Sequence, residues 1–289
     1  MNQRLRSVIY VPGINEKAMR KALTLPVDAI VFDLEDSVSP DRKEQARDTL
    51  AAFLEENRAG LGDRQAVVRV NGQDTGFWAE DLAMAARIRP HAVLLPKVVR
   101  PEIVADARAR LGPPGSPVPR IWCMVENPLG ILKLQSIVES APPEGIGCLV
   151  LGTNDLVKDS DIEPGPGRAN LMPWFAHIML VAKSFGIPVV DGVLNDIHDT
   201  EALRAECEAA RALGMSGKTV IHPAQVDTVN RGFGPSEEQL AWWRRIVQAY
   251  EQPENAGKGV ISLEGTMVER LHLEIAQRRL REHESLPPR

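Results

Sequence analysis

Eight short runs rich in Val, Ile and Leu recur through the first three-quarters of this chain, at residues 7–11, 29–34, 66–70, 92–96, 120–125, 148–151, 188–190 and 219–221. They are apolar along most of their length instead of alternating with polar residues, so as strands they must be covered on both faces, as in a parallel sheet. Stretches of helical periodicity separate them, among them residues 41–57, 77–88, 103–111, 132–140, 174–185 and 200–213. A strand followed by a helix, eight times over, predicts the α/β class and within it a (β/α)8 TIM barrel. The doubly wound alternative expects a Gly-x-Gly-x-x-Gly turn after the first strand, and Val11-Pro12-Gly13-Ile14-Asn15-Glu16 lacks it.

The 289 residues would accommodate one barrel or two smaller domains. The order of elements decides for a barrel over residues 1–231 followed by a C-terminal helical extension over 232–289. Two helix patterns fill the extension, residues 236–250 and 267–281. The first opens on Ser236 with Glu237, Glu238 and Gln239 in its first turn, a well-specified start. The second places Met267, Val268, Leu271, Ile275 and Leu280 on a partly apolar face suited to packing. The Pro/Gly segment 111–119 reads as a helix-to-strand loop, and residues 163–168 as a mobile loop above the barrel where a lid would lie.

Barrel chemistry sits on the loops at the C-terminal ends of the strands. Those ends here carry Asp33, Glu35 and Asp36; Arg69 and Asn71; Lys97; Glu126 and Asn127; Asn154 and Asp155; Asp191; then Lys218 and His222. One polar loop residue means little, but so many in step with the strands mark this rim as the functional one. Glu126 and Asp155 follow neighbouring strands, so in a closed barrel both can point into the same mouth. Two carboxylates completed by water and substrate oxygens suit a hard cation, Mg2+ or Mn2+. Either carboxylate taken alone would equally serve as a cap or loop brace. The six histidines are dispersed, without the spacing of a zinc site. Lys97 and Lys218 have the chemistry of Schiff-base lysines, but the acidic residues around them favour ion-paired, positioning roles.

Composition excludes other classes. The formal net charge is −5 and the basic residues are scattered among acidic ones, which argues against a nucleic-acid surface. Met1-Asn2-Gln3-Arg4-Leu5-Arg6 contains no signal-peptide core and no apolar run reaches the length of a membrane span, so neither export nor a membrane partner is expected. Three widely spaced cysteines, Cys123, Cys148 and Cys207, form no disulfide framework, and a reducing cytoplasmic setting is expected.

Seven stretches in order carry a resemblance: Arg6-Ser7-Val8-Ile9-Tyr10-Val11-Pro12-Gly13; Asp33-Leu34-Glu35-Asp36-Ser37-Val38; Val68-Arg69-Val70-Asn71; Leu95-Pro96-Lys97-Val98; Val125-Glu126-Asn127-Pro128; Leu151-Gly152-Thr153-Asn154-Asp155-Leu156; and Gly217-Lys218-Thr219-Val220-Ile221-His222-Pro223-Ala224-Gln225. From about Arg6 to about Arg281 the chain resembles the citrate lyase beta subunit and malyl-CoA or citramalyl-CoA lyase family, within the metal-dependent HpcH/HpaI aldolases. The resemblance implies a (β/α)8 barrel with Mg2+ on Glu126 and Asp155 and Arg69 gripping an oxo-acid carboxylate. It also implies substrate-side roles for Asp36, Lys97, Asn127 and Pro128, and offers Lys43 and Arg47 to the CoA phosphates. A solvated helix face is the alternative for the last two. The family's acid/base residue comes from a tail motif Gly-x-Met-Val/Ile-Asp of a neighbouring subunit. This chain reads Gly265-Thr266-Met267-Val268-Glu269, with a Glu one methylene longer in that place. An exposed first-turn carboxylate of the last helix is the other reading of Glu269.

The activity implied is retro-Claisen cleavage of a β-hydroxyacyl-CoA such as malyl-CoA or citramalyl-CoA to acetyl-CoA and a 2-oxo acid, glyoxylate or pyruvate. The metal acts as Lewis acid, Arg69 orients the carboxylate, and Glu269 or a hydroxide at the metal takes the hydroxyl proton. Two rivals stand beside it. One is a metal-dependent aldolase joining pyruvate or oxaloacetate to a free aldehyde, which needs neither Lys43 nor Arg47. The other is a non-catalytic, citrate lyase beta-like subunit. Packing of the tail on a neighbour predicts a homotrimer or hexamer.

Overall fold

A computed structural model of the chain describes residues 5–113, 115–141 and 145–284. Strands and helices alternate as β1 (Ser7–Pro12), α1 (Glu16–Ala22), β2 (Ala29–Asp33), α2 (Lys43–Asn57), β3 (Gln65–Arg69), α3 (Trp78–Ile88), β4 (Ala92–Leu95), α4 (Pro101–Leu111), β5 (Arg120–Val125), α5 (Pro128–Glu139), β6 (Ile146–Leu151), α6 (Thr153–Ser160), α7 (Met172–Ser184), β7 (Val189–Asp191), α8 (Thr200–Ala212), β8 (Gly217–Val220) and α9 (Val226–Gly232). Each strand pairs in parallel with the next, and β8 returns to β1, so the sheet is a closed TIM barrel. At the seam Lys218 donates its backbone N–H to the Arg6 carbonyl at 2.8 Å. Gly217 permits this approach: a Cβ there would sit 1.6 Å from the Leu5 carbonyl oxygen.

Successive strand residues point to opposite faces, and two apolar clusters follow from that alternation. Val8, Val31, Val67, Leu94, Trp122 and Val150 belong to the cluster that fills the lumen. Ile9, Phe32, Val68, Leu95, Cys123 and Leu149 belong to the larger cluster between strands and helices. Each fully buried aliphatic or aromatic side chain contributes about 1.5–3 kcal/mol, which explains why the runs are apolar on both faces. The three cysteines are all buried and unpaired.

The structure corrects several expectations. Asn154 and Asp155 stand in the first turn of α6, not in an open loop; a two-turn helix is too short to announce itself by periodicity. Residues 163–168 are pinned at their far end. Arg168 is buried, paired through both Nη atoms with Asp191 at 2.8 and 2.9 Å, 3.2 Å from Glu206 and stacked over Phe175. That anchorage does not suit a mobile lid.

The chain divides into two compact units, Met1–Phe233 and Gly234–Arg289. The second contains α10 (Glu237–Glu251), the antiparallel pair β9 (Val260–Leu263) and β10 (Thr266–Glu269), and α11 (Arg270–Glu284). Ser236 caps α10 with Gln239 in a reciprocal capping box. The last helix begins at Arg270, so Met267, Val268 and Glu269 are strand residues and the expected apolar helix face is cut short. Ile246, Tyr250, Ile261, Val268 and Ala276 form this unit's own core. No helix among the described residues is long and apolar enough to cross a membrane.

Candidate active site

The parity that fills the lumen also builds its polar floor. Two residues beyond Val31, Val67 and Met124 come Asp33, Arg69 and Glu126, so these three side chains project inward at the C-terminal end of the barrel. All three are buried. Tyr10, two residues beyond Val8, packs against the same cluster.

Arg69 is the hub. Its Nε and Nη2 donate to Asp33 Oδ1 and Oδ2, both at 2.7 Å. The remaining nitrogen, Nη1, lies 2.9 Å from Glu35 and 3.3 Å from Asp36, and the guanidinium stands 5.0 Å from the Tyr10 ring centre. Burial works against ionisation of Asp33, but the charge and hydrogen bonds of Arg69 outweigh it and hold the carboxyl below its usual range. Glu35 goes the other way: burial raises it even though Arg69 and Lys97 oppose the shift. Its two oxygens make ion-pair contacts, including Lys97 Nζ at 3.2 Å, without a well-aligned hydrogen bond.

Glu126 faces this group. Lys97, in the left-handed region at φ 53, turns its backbone N–H inward and donates to Glu126 Oε1 at 2.5 Å. Oε2 is buried with no hydrogen-bond partner. Burial, then the charge of Glu35, then that of Asp155 push the Glu126 carboxyl up to about 8, against the pull of the Lys97 N–H. Space for the carboxylate is kept by Gly152, where a Cβ would lie 2.4 Å from Glu126 Cβ and 2.5 Å from Oε2. A buried, orphaned carboxylate oxygen under the field of two further carboxylates is an environment that a divalent cation relieves. Among the described residues no cluster of three or more His, Cys, Asp or Glu assembles as a ligand set, so a cation held by Glu126 and Asp155 would need water and substrate oxygens to complete its shell.

Other candidates are engaged elsewhere. Lys43 is buried and donates to the Leu34 and Glu35 carbonyls at 2.7 and 2.6 Å. It braces the loop after β2. Arg47 is held by Glu80 and by Asp81 at 3.2 Å. Asn127 caps α5 by accepting the Gly130 N–H at 2.6 Å, and Pro128 is the first residue of that helix. Asp36 is largely exposed at the rim. Lys218 and Asp191 have the opposite parity from the lumen residues and lie behind the barrel wall. Lys218 Nζ contacts Asp191 at 2.8 Å, Glu206 at 2.6 Å and the Gly192 carbonyl at 2.6 Å, fully buried, which suits a structural cation and not a Schiff base. In the second unit Glu269 is half-buried at the end of β10, and its N–H donates to His272 Nδ1 at 2.9 Å.

The barrel portion matches a known family pattern, HpcH/HpaI aldolase/citrate lyase, over residues 6–223. The chain belongs to the HpcH/HpaI aldolase/citrate lyase family. That family includes carbon–carbon lyases. Among the chain's relatives in this family, a (3S)-malyl-CoA thioesterase of Cereibacter sphaeroides is 41% identical, covering 97% of this chain and 95% of its own. The mitochondrial citramalyl-CoA lyase of Homo sapiens is 30% identical, covering 94% and 83%. CitE of Mycobacterium tuberculosis, solved with magnesium, acetoacetate and coenzyme A, is 28% identical, with TM-score 0.80 over 99% of this chain and all of that one.

Tyr10 and Gly152 also belong to the inward-facing set. Each stands two residues beyond a lumen residue, Tyr10 after Val8 within the first run and Gly152 after Val150 just past the sixth.

Proposed function

We propose that this chain cleaves a β-hydroxyacyl-CoA of the malyl-CoA or citramalyl-CoA type into acetyl-CoA and a 2-oxo acid, with Mg2+ held by Glu126 and Asp155. The observation that carries the reading is the Glu126 carboxylate: buried, unpartnered at Oε2 and set beside the Arg69 cation in the lumen. The bound magnesium, acetoacetate and coenzyme A of the Mycobacterium tuberculosis relative support the cofactor and substrate class. When bound, the cation supplies Lewis acidity toward the hydroxyl and carboxylate oxygens of the substrate.

The protein's own residues do the rest. Arg69, its other edge fixed by Asp33, offers Nη1 to the substrate carboxylate, and Lys97 adds a second positive charge close by. Glu269, given by the tail of a neighbouring subunit, takes the hydroxyl proton and returns one to the acetyl fragment. That arrangement requires an oligomer, by analogy with the family a homotrimer or hexamer. The exposed Val260, Met267 and Leu271 of the tail unit support such an assembly; a monomer in sedimentation would contradict it.

Hydrolysis of the thioester is the second reading, favoured by the 41% identity to a malyl-CoA thioesterase. Product analysis separates the two. Cleavage releases acetyl-CoA and a 2-oxo acid without free thiol, whereas hydrolysis releases free CoA thiol and a hydroxydicarboxylate. Thiol release at the full turnover rate with no 2-oxo acid would replace the lyase reading with the hydrolase.

A further inference from the structure

The chain contains two tyrosines, and they are used differently. Tyr250 spends its hydroxyl on structure, donating toward the Val268 carbonyl at 2.9 Å with the Gly259 carbonyl at 3.3 Å. Tyr10 does not. Its ring extends from β1 into the lumen, packed on the inner cluster and 5.0 Å from the Arg69 guanidinium. Among the described residues no protein group hydrogen-bonds its hydroxyl. A half-buried hydroxyl left without a protein partner on the floor of a polar site is a donor waiting for a ligand oxygen.

Its position specifies which oxygen. Glu126 directly follows the end of β5 and Tyr10 is on β1, strands on opposite sides of an eight-stranded ring. A substrate whose hydroxyl and carboxylate face the Glu126 side therefore turns its thioester toward Tyr10. Resting on the proposed CoA-ester chemistry, we infer that the Tyr10 hydroxyl donates a hydrogen bond to the thioester carbonyl oxygen and stabilises the charge that develops there. In the cleavage the bond between the hydroxyl carbon and the carbon next to the thioester breaks. Its electron pair moves onto the thioester as an enolate, the hydroxyl proton goes to the base, and the enolate carbon then takes up a proton to give acetyl-CoA. Tyr10 contributes a donor and gives up no proton. Burial, reinforced by the charges of Asp33, Glu126 and Glu35 and opposed by Arg69, raises its pKa and keeps it protonated. The same donor polarises a thioester carbonyl toward water, so a lyase and a thioesterase can both be built on this floor.

The test compares wild type, Tyr10→Phe and Tyr10→Leu in the Mg2+-loaded full-length protein by two readouts: turnover of malyl-CoA and citramalyl-CoA, and exchange of the acetyl-CoA methyl protons with D2O followed by NMR. Tyr10→Phe keeps the ring beside Arg69 and removes only the hydroxyl. The expected result is loss of about 10²-fold in both kcat and the exchange rate with KM little changed, while the rise in Tm on adding Mg2+ stays as in wild type. Tyr10→Leu, which also removes the ring, should raise KM as well. Wild-type exchange and turnover in Tyr10→Phe would overturn the role of Tyr10 and leave the proposed function standing. A wild type that neither turns over an ester nor exchanges protons would overturn the proposed function and this inference with it.

Discussion

Arg69 and Asp33 form a two-point ion pair, Nε to Oδ1 and Nη2 to Oδ2, both at 2.7 Å and both buried in the lumen. The pair fixes the plane of the guanidinium and turns Nη1 toward Glu35 and Asp36, the end that a substrate carboxylate would share with them. A lysine in place of Arg69 keeps the charge but has no fork to share between Asp33 and a substrate. Arg69→Lys should therefore lower kcat/KM on the order of 10²-fold through misplacement, measured by initial rates on a β-hydroxyacyl-CoA. Wild-type kinetics in that variant would show that the orientation of the guanidinium is irrelevant.

Gly152 tests the space around Glu126. Its φ of −102 is open to any residue, so Gly152→Ala imposes no backbone strain and acts only through the Cβ placed 2.4 Å from Glu126 Cβ. The carboxylate must shift, and Mg2+ affinity should fall with it while the metal-free Tm drops only modestly. Calorimetric titration of Mg2+ checks this, and undiminished affinity would mean that Glu126 does not hold the ion.

Glu126 also gives the metal-free protein a pH dependence. Its folded carboxyl is raised from 4.5 to about 8, so the stability it contributes is full below the unfolded value and is lost as pH rises through the folded one, ~1.4 kcal/mol for each unit between them. In EDTA, Tm should fall between pH 5 and pH 8, and Glu126→Gln should flatten that slope. Mg2+ should restore more stability at pH 8 than at pH 6, because it binds the ionised form. A metal-free Tm that rises over this window in wild type but not in Glu126→Gln would contradict the assignment.

Lys218 neutralises Asp191 and Glu206 behind the barrel wall, together with Arg168. Removing one cation from a buried cluster strands its partners, at a cost of about 3–5 kcal/mol. Lys218→Met should lose that much in urea unfolding. Wild type treated with pyruvate and borohydride should form no adduct at this residue, and a mass increase on the peptide carrying Lys218 would revive the Schiff-base alternative.

The barrel was legible because its strands are buried on both faces, which turns them into apolar runs whose limits lie within about two residues of the observed ones. Arg69, Glu126 and Asp155 were legible as polar residues closing such runs. The direction of a side chain was harder to see. Asp33 and Asp191 end β2 and β7 alike, yet parity sends one into the lumen and the other behind the wall. Lys43 reads as a solvated helix residue until the loop folds back and presents two carbonyls to it. The β9–β10 hairpin was hidden because Met267 and Leu271 mimic a helical spacing. Glu264 and Gly265, at φ 52 and 81, were the signal of a tight turn between two antiparallel strands.

Metal-dependent carbon–carbon cleavage at Glu126 is directly measurable. The direct measurement is formation of acetyl-CoA and 2-oxo acid from malyl-CoA and citramalyl-CoA, both stereoisomers, by the purified chain with Mg2+, with EDTA, and with Glu126→Gln. Equal amounts of the two products are expected from at least one ester in Mg2+, and none in EDTA or in the variant. Undiminished cleavage in EDTA, or in Glu126→Gln with Mg2+, would contradict that expectation.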